Sequence, residues 1–241
     1  MLRKHVKNWH SVIPIFLNLS RSATIVFRDG TTLLLTSKNY HDFYEKIYGL
    51  HCRSNGLVYV TEEGYQVVNL PNGFSLRLMD AQYSHVLDEV FVERVYDFVD
   101  LESKIAIDVG ASIGDTAIHF ASQGAMVFAF EPDNQRFKNA IYNIAKNDLQ
   151  DKVKIYNKYV NSCKEIAEIC SAYEDKEVFL KLDCEGCERQ ILLDKLPSNI
   201  EACAMEYHGP RNFLINSLNK QGFKSTVRNE IIFAKRSRKI D

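Results

Sequence analysis

The chain has 241 residues, 46% of them hydrophobic and 25% charged, with a formal net charge of −1. That length allows one large domain, or a domain with a smaller appendage, and it can bury a substantial core. The near-neutral charge excludes a general electrostatic attraction to nucleic acid, and the composition is that of an ordinary soluble globular protein.

Residues 1–10 are basic and residues 12–19 are apolar. The pair resembles a secretion signal, but the apolar run is short, holds Pro14 and Asn18, and lacks a small-residue cleavage site. It is too short to span a bilayer. A docked or interfacial segment is expected, with peripheral membrane contact as the lesser reading. Strands are then predicted at residues 24–27 and 32–35, joined through Asp29-Gly30, a strong hairpin signal. A short helix is expected at 39–48. Further strands follow at 57–60, 65–70 and 74–78, punctuated by Gly64 and by Pro71-Asn72-Gly73. Residues 1–83 thus read as a β-rich region. Residues 84–98 place Val86, Leu87, Val90, Phe91 and Tyr96 at helical intervals, so a helix is expected to lead into residues 84–241.

From there strands and helices alternate, which predicts an α/β domain with a mostly parallel sheet. Strands are expected at 105–109, 125–130, 153–156, 178–182 and 202–207. Helices are expected at 115–122, 134–147, 163–173, from Glu188, and at 213–220. In the second of these, Phe137, Ala140, Ile141, Ile144 and Ala145 form the apolar stripe. Two closing strands, 223–227 and 231–234, form a hairpin.

The most informative segment is Ile105-Ala106-Ile107-Asp108-Val109-Gly110-Ala111-Ser112-Ile113-Gly114-Asp115-Thr116. An apolar strand stops at an acid, a glycine loop follows, and a helix begins, as in nucleotide-binding α/β domains. About 20 residues on, the second strand ends at Glu131, where a ribose-binding carboxylate is expected. The glycines do not have the G-x-G-x-x-G spacing that admits a pyrophosphate. Asp108 and Asp115 would repel one and suit a ligand with an ammonium group. S-adenosylmethionine has both that cation and a ribose. Asp108 and the amides of residues 111–114 are expected at its methionine end, and Glu131 on its ribose.

This block, with Phe130-Glu131-Pro132 and Leu180-Lys181-Leu182-Asp183-Cys184-Glu185-Gly186-Cys187-Glu188, resembles the FkbM-type methyltransferases over roughly residues 89–235. The resemblance implies a Rossmann-like class I methyltransferase sheet with an antiparallel C-terminal hairpin, S-adenosylmethionine as cofactor, and methylation of hydroxyls, often on sugars or polyketides. Cys187 stands where the family usually has a small apolar residue. The cofactor residues implied are Asp108, Gly110, Ala111, Ser112, Gly114, Asp115, Thr116, Glu131, Pro132 and Asn157.

An alcohol acceptor must be aligned and lose a proton. Asp183, Glu206 and His208, at the ends of the fourth and fifth strands, are the candidates. Glu185 is a further candidate for the base, and Arg211 for a substrate contact. No Asn/Asp-Pro-Pro-aromatic motif follows the fourth strand, so a small molecule or glycan is preferred over nucleic acid as partner. Two other functions fit the same residues. One is a catalytically silent binding module; the other is an enzyme holding Mg²⁺ between Asp183 and Glu206. The six cysteines, at 52, 163, 170, 184, 187 and 203, show no even framework. They read as reduced thiols in a cytoplasmic protein. Cys184-Glu185-Gly186-Cys187 has the spacing of a redox pair or part of a zinc site, but its acids match the methyltransferase block, and no metal is expected.

Overall fold

The computed structural model describes residues 2–39, 42–43, 46–47, 49–50, 57–62, 65–70, 72–79, 87–207, 209–228 and 230–237. The chain divides into two units, Met1–Leu87 and Asp88–Asp241.

In the first unit, short helices α1 (Leu2–His5) and α2 (Ile13–Phe16) flank a 3₁₀ turn at Trp9–Val12. Strands β1 (Ser22–Val26) and β2 (Thr32–Thr36) pair antiparallel. The Asp29 carboxylate fixes their turn by accepting from the Thr31 amide (3.0 Å) and hydroxyl (2.6 Å). Val6, Val12 and Ile15 bury against Ile25, Phe27 and Leu35, so the N-terminal segment is docked on this hairpin. The alternate residues Ile13, Phe16, Leu17 and Leu19 are exposed. β3 (Val58–Glu62), β4 (Tyr65–Asn69) and β5 (Ser75–Leu78) form a separate antiparallel sheet. Of the helix expected at 39–48, residues 42–43 and 46–47 are helical, and residues 40, 41, 44, 45 and 48 lie outside the described residues. Gly64, Pro71 and residues 80–86 lie outside them too.

The second unit is an α/β domain. Its seven-stranded sheet contains β6 (Ile105–Val109), β7 (Met126–Phe130), β8 (Val153–Tyr156), β9 (Val178–Leu182), β10 (Ile200–Glu206), β11 (Phe223–Arg228) and β12 (Ile231–Arg236). The order is β11-β12-β10-β9-β6-β7-β8. Every pairing is parallel except those of β12, which runs antiparallel to both neighbours. This is the Rossmann-like sheet with a reversed C-terminal strand that the sequence predicts. The crossovers run outward from β6 to β7 and β8, then return to β9 on its other side. That reversal opens a crevice at the carboxyl ends of β6 and β9.

β6 is buried on both faces. Ile105, Ile107 and Val109 join Leu180, Leu182 and Met205 in one core layer. Over it pack α5 (Cys163–Ala172), α6 (Cys187–Ile191) and α7 (Asn212–Lys220). On the opposite face Phe179 meets Phe98 and Phe120 edge-on, with ring centroids 5.8 and 5.3 Å apart. Phe120 belongs to α3 (Asp115–Ser122). α4 (Asn134–Lys146) is capped by Asp133, whose carboxylate accepts from the Gln135 and Arg136 amides (2.9 and 2.8 Å).

Two expectations are corrected. Of the helix expected at 84–98, residues 84–86 lie outside the described residues; the rest holds a five-residue π-helical turn, Asp88–Val92, followed by turns. Arg94 adopts φ +51°, a left-handed conformation that stops a right-handed helix. The stripe on α4 is also rotated: Asn139, Ala140, Asn143 and Ile144 are buried while Ile141 is exposed. Asn143 is drawn inward because its amide donates to the Ile113 carbonyl (2.9 Å), bracing the loop after β6.

Candidate active site

The loop after β6 turns on a glycine that has no substitute. Gly110 has φ +85°, and a Cβ there would lie 1.7 Å from the Asp183 carbonyl oxygen. The amides of Gly110 and Ala111 donate to the Phe130 carbonyl (2.9 and 3.0 Å). The Ser112 amide donates to Glu131 Oε2 (2.8 Å), and that of Gly114 to the Ala111 carbonyl (2.8 Å). The sequence offered the amides of residues 111–114 to a ligand. Those of Ala111, Ser112 and Gly114 are instead occupied within the protein; the first two tie the end of β6 to the end of β7, and the third closes the loop on itself.

Asp108 is likewise turned inward. It is 0% exposed, and its Oδ2 accepts from the Thr116 hydroxyl (2.6 Å). Its register neighbour on β9 is Lys181, also buried, whose Nζ lies 3.1 Å from Asp108 Oδ1 and 3.5 Å from Asp183 Oδ2. Lys181 also donates to the Gly110 carbonyl (2.9 Å). Burial alone would lower the ammonium pKa; Asp108 and Asp183 outweigh that and hold it well above its ordinary value. The carboxylate of Asp108, expected at the methionine end of a ligand, is thus met by a cation of the protein itself. A lysine inside an otherwise apolar strand is rarely buried without a partner, which signals a pair but not which acid completes it.

Asp115, at the start of α3, is 4% exposed, and its Oδ1 is buried without a hydrogen bond. Burial pushes its pKa up to about 7. Its folded pKa exceeds that of an unfolded carboxyl, about 3.9. The folded state therefore binds more protons between those values, and stability falls as pH rises through about 4 to 7. Asp115→Asn, which cannot titrate, should match the wild type near pH 4. At pH 8 it should exceed it by on the order of 1–4 kcal/mol. Urea unfolding at both pH values reads this, and a pH-independent difference would refute the assignment.

Two clefts open at the carboxyl ends of the strands. The first, about 270 Å³, is lined by Gly110, Glu131, Pro132, Arg136, Lys158 and Tyr159 among others. The second, about 260 Å³, is lined by Glu188, Glu206, Tyr207 and Gly209. Asp183 and Glu185 belong to the walls of both. Glu131 is 3% exposed; its two oxygens accept from the Ser112 and Asp133 amides (both 2.8 Å). Burial raises its pKa against the pull of those amides. Asn157 donates to the Glu131 and Pro132 carbonyls (2.9 and 3.0 Å) and so braces the turn after β7.

Of the residues expected from sequence, the structure brings Gly110, Glu131, Pro132 and Asp183 to the first cleft, and Asp183 and Glu206 to the second. Asp108, Ala111, Ser112, Gly114, Asp115 and Thr116 are not among the residues lining either cleft. His208 lies outside the described residues. Sequence reasoning missed Lys158 and Tyr159, which follow β8 one and two residues past Asn157, and Arg136 in the first turn of α4.

Cys184 and Cys187 form a disulfide. This corrects the reading of reduced thiols for that pair; Cys163, Cys170 and Cys203 are free and buried, and Cys52 lies outside the described residues. Buried Glu188 accepts from the Cys184 and Gly186 amides (both 2.9 Å). No described helix is long and apolar enough to cross a membrane.

No protein-family model matches the chain, and no curated protein matches it. Solved structures with a similar course of the chain include magnesium protoporphyrin IX methyltransferase from Synechocystis PCC 6803 with bound SAM. It is 14% identical, with 64% of this chain and 79% of that one covered and a TM-score of 0.42. TYW2 of Pyrococcus horikoshii in complex with MeSAdo is 16% identical over 84% and 85% of the two chains, with a TM-score of 0.47. An O-methyltransferase family protein from Burkholderia thailandensis is 11% identical over 66% and 60%, with a TM-score of 0.45. At such identities no residue role passes from one chain to another.

Proposed function

We propose that the Asp88–Asp241 unit is an S-adenosylmethionine-dependent methyltransferase that acts on a hydroxyl of a sugar, glycan or small metabolite. One observation carries the reading: two clefts meet at the carboxyl ends of β6 and β9, and Asp183 stands in the wall of both. The residues of the first cleft fit the cofactor. Glu131 offers a largely desolvated carboxylate whose oxygens each keep a lone pair for a ribose hydroxyl. Arg136 and Lys158 offer cations, and Glu185 offers an anion, to a zwitterionic amino-acid tail. The cofactor supplies an electrophilic methyl carbon on a sulfonium centre. The protein's share is to align an acceptor oxygen from the second cleft and remove its proton. In this reading Asp183 takes the proton, and Glu206 and Tyr207, in the wall of the second cleft, hold the acceptor.

Glu131→Ala should weaken S-adenosylhomocysteine binding tenfold or more, the loss of about one charge-assisted hydrogen bond. Titration calorimetry measures it. Unchanged affinity, or no binding by the wild type, would overturn the cofactor assignment.

A further inference from the structure

We propose that Cys184–Cys187 is a reversible dithiol/disulfide site, reduced by a dithiol donor, whose state sets how tightly the cofactor cleft closes. Its ligand-binding part rests on the cofactor reading above. The bond ties the loop after β9 to the first residue of α6, and that loop carries Asp183 and Glu185, residues common to both clefts.

The two sulfurs differ in access. Cys184 lines the cofactor cleft and is partly exposed, whereas Cys187 is 0% exposed. A donor thiolate therefore attacks the Cys184 sulfur. The Cys184–Cys187 bond breaks, Cys187 leaves as a thiolate and takes a proton, and a mixed disulfide forms on Cys184. The donor's second thiolate then displaces Cys184, which is protonated in turn. Two electrons and two protons pass to the pair, and the donor leaves as its own disulfide.

The loop is furnished for both states. Glu188 Oε1 sits 3.2 Å from the Cys184 sulfur, which bears no proton while bonded to Cys187. A reduced Cys184 thiol finds in that carboxylate a ready acceptor. Within the ring closed by the disulfide, Glu185 adopts φ +57°, a left-handed conformation that costs a non-glycine residue, and Gly186 adopts φ +125°. Opening the ring removes the covalent tie that holds Glu185 there. The wall formed by Asp183 and Glu185 then loosens.

The test uses the full chain, oxidised and then treated with dithiothreitol, with thiols counted by alkylation and peptide mass. Three results are expected. Cys184 and Cys187 alkylate only after reduction. S-adenosylhomocysteine binds the reduced form at least fivefold more weakly by calorimetry. Bound S-adenosylhomocysteine slows reduction at least fivefold, because it covers Cys184. Cys187→Ala should bind as the reduced form does in either buffer. Free alkylation in the oxidised protein, or equal affinities of the two forms, overturns the proposal. If neither form binds S-adenosylhomocysteine, the cofactor reading fails, and amide hydrogen exchange over residues 183–191 decides the latch separately. Faster exchange on reduction sustains it, and unchanged exchange overturns it.

Discussion

Lys181→Met lowers the unfolding free energy by about 3–5 kcal/mol, the cost of leaving a buried carboxylate without its partner. The methionine nearly matches the lysine in length, so little volume is lost. What disappears is the cation 3.1 Å from Asp108 and the donor on the Gly110 carbonyl. Asp108 is fully buried and keeps only the Thr116 hydroxyl as a hydrogen-bond donor. Adding Asp108→Asn removes the stranded charge, and an asparagine oxygen can still accept from Thr116. The double variant should therefore recover most of the loss. Urea unfolding of the wild type, both single variants and the double variant forms the cycle. A double variant no more stable than Lys181→Met would place the lysine's contribution on Asp183 or on the loop carbonyl instead.

Asp183→Asn slows methyl transfer by about 10²–10⁴, the usual worth of a positioned general base. The substitution keeps the shape of the side chain in both cleft walls and removes its capacity to take a proton. Cofactor affinity should change less than about tenfold, because Glu131 and its two amide donors are untouched. Single-turnover assays with radiolabelled methyl donor, set beside calorimetry with S-adenosylhomocysteine, separate the two effects. Equal losses in binding and turnover would assign Asp183 to holding the cofactor rather than to proton removal.

Much of the second unit was legible along the chain, because its strands are continuous apolar runs and its loops carry the glycines and acids that end them. The five parallel strand cores and the closing hairpin fall within about two residues of expectation. The failures have physical causes. The segment 84–98 has helical spacing, yet among its described residues Val90 is buried from a short π-helical turn and Tyr96 from the turns after it, with Arg94 in a left-handed conformation between them. On α4 an asparagine displaced isoleucine from the buried face, because a loop carbonyl needed a donor more than the core needed a side chain. Periodicity counts apolar residues and is blind to such demands. At the candidate site, the sequence ranked acids by their place at strand ends but not by the direction they face. Asp108 and Glu131 both end strands; one is fully sealed against Lys181, and the other forms part of the cleft wall.

The sequence by itself determined the α/β class, the strand–loop–helix unit around Gly110, the carboxylate at the end of β7, and the acidic block after β9. These follow from local composition, since apolar runs, glycine and strand-ending acids act over a few residues. Only the tertiary structure decided which charges meet. The parallel register of β6 on β9 sets Asp108 beside Lys181, although 73 positions separate them. The same register brings the Asp183 carbonyl against Gly110. Coulomb energy depends on distance in space and on burial, so no spacing along the chain could tell a carboxylate neutralised within the core from one that meets a ligand.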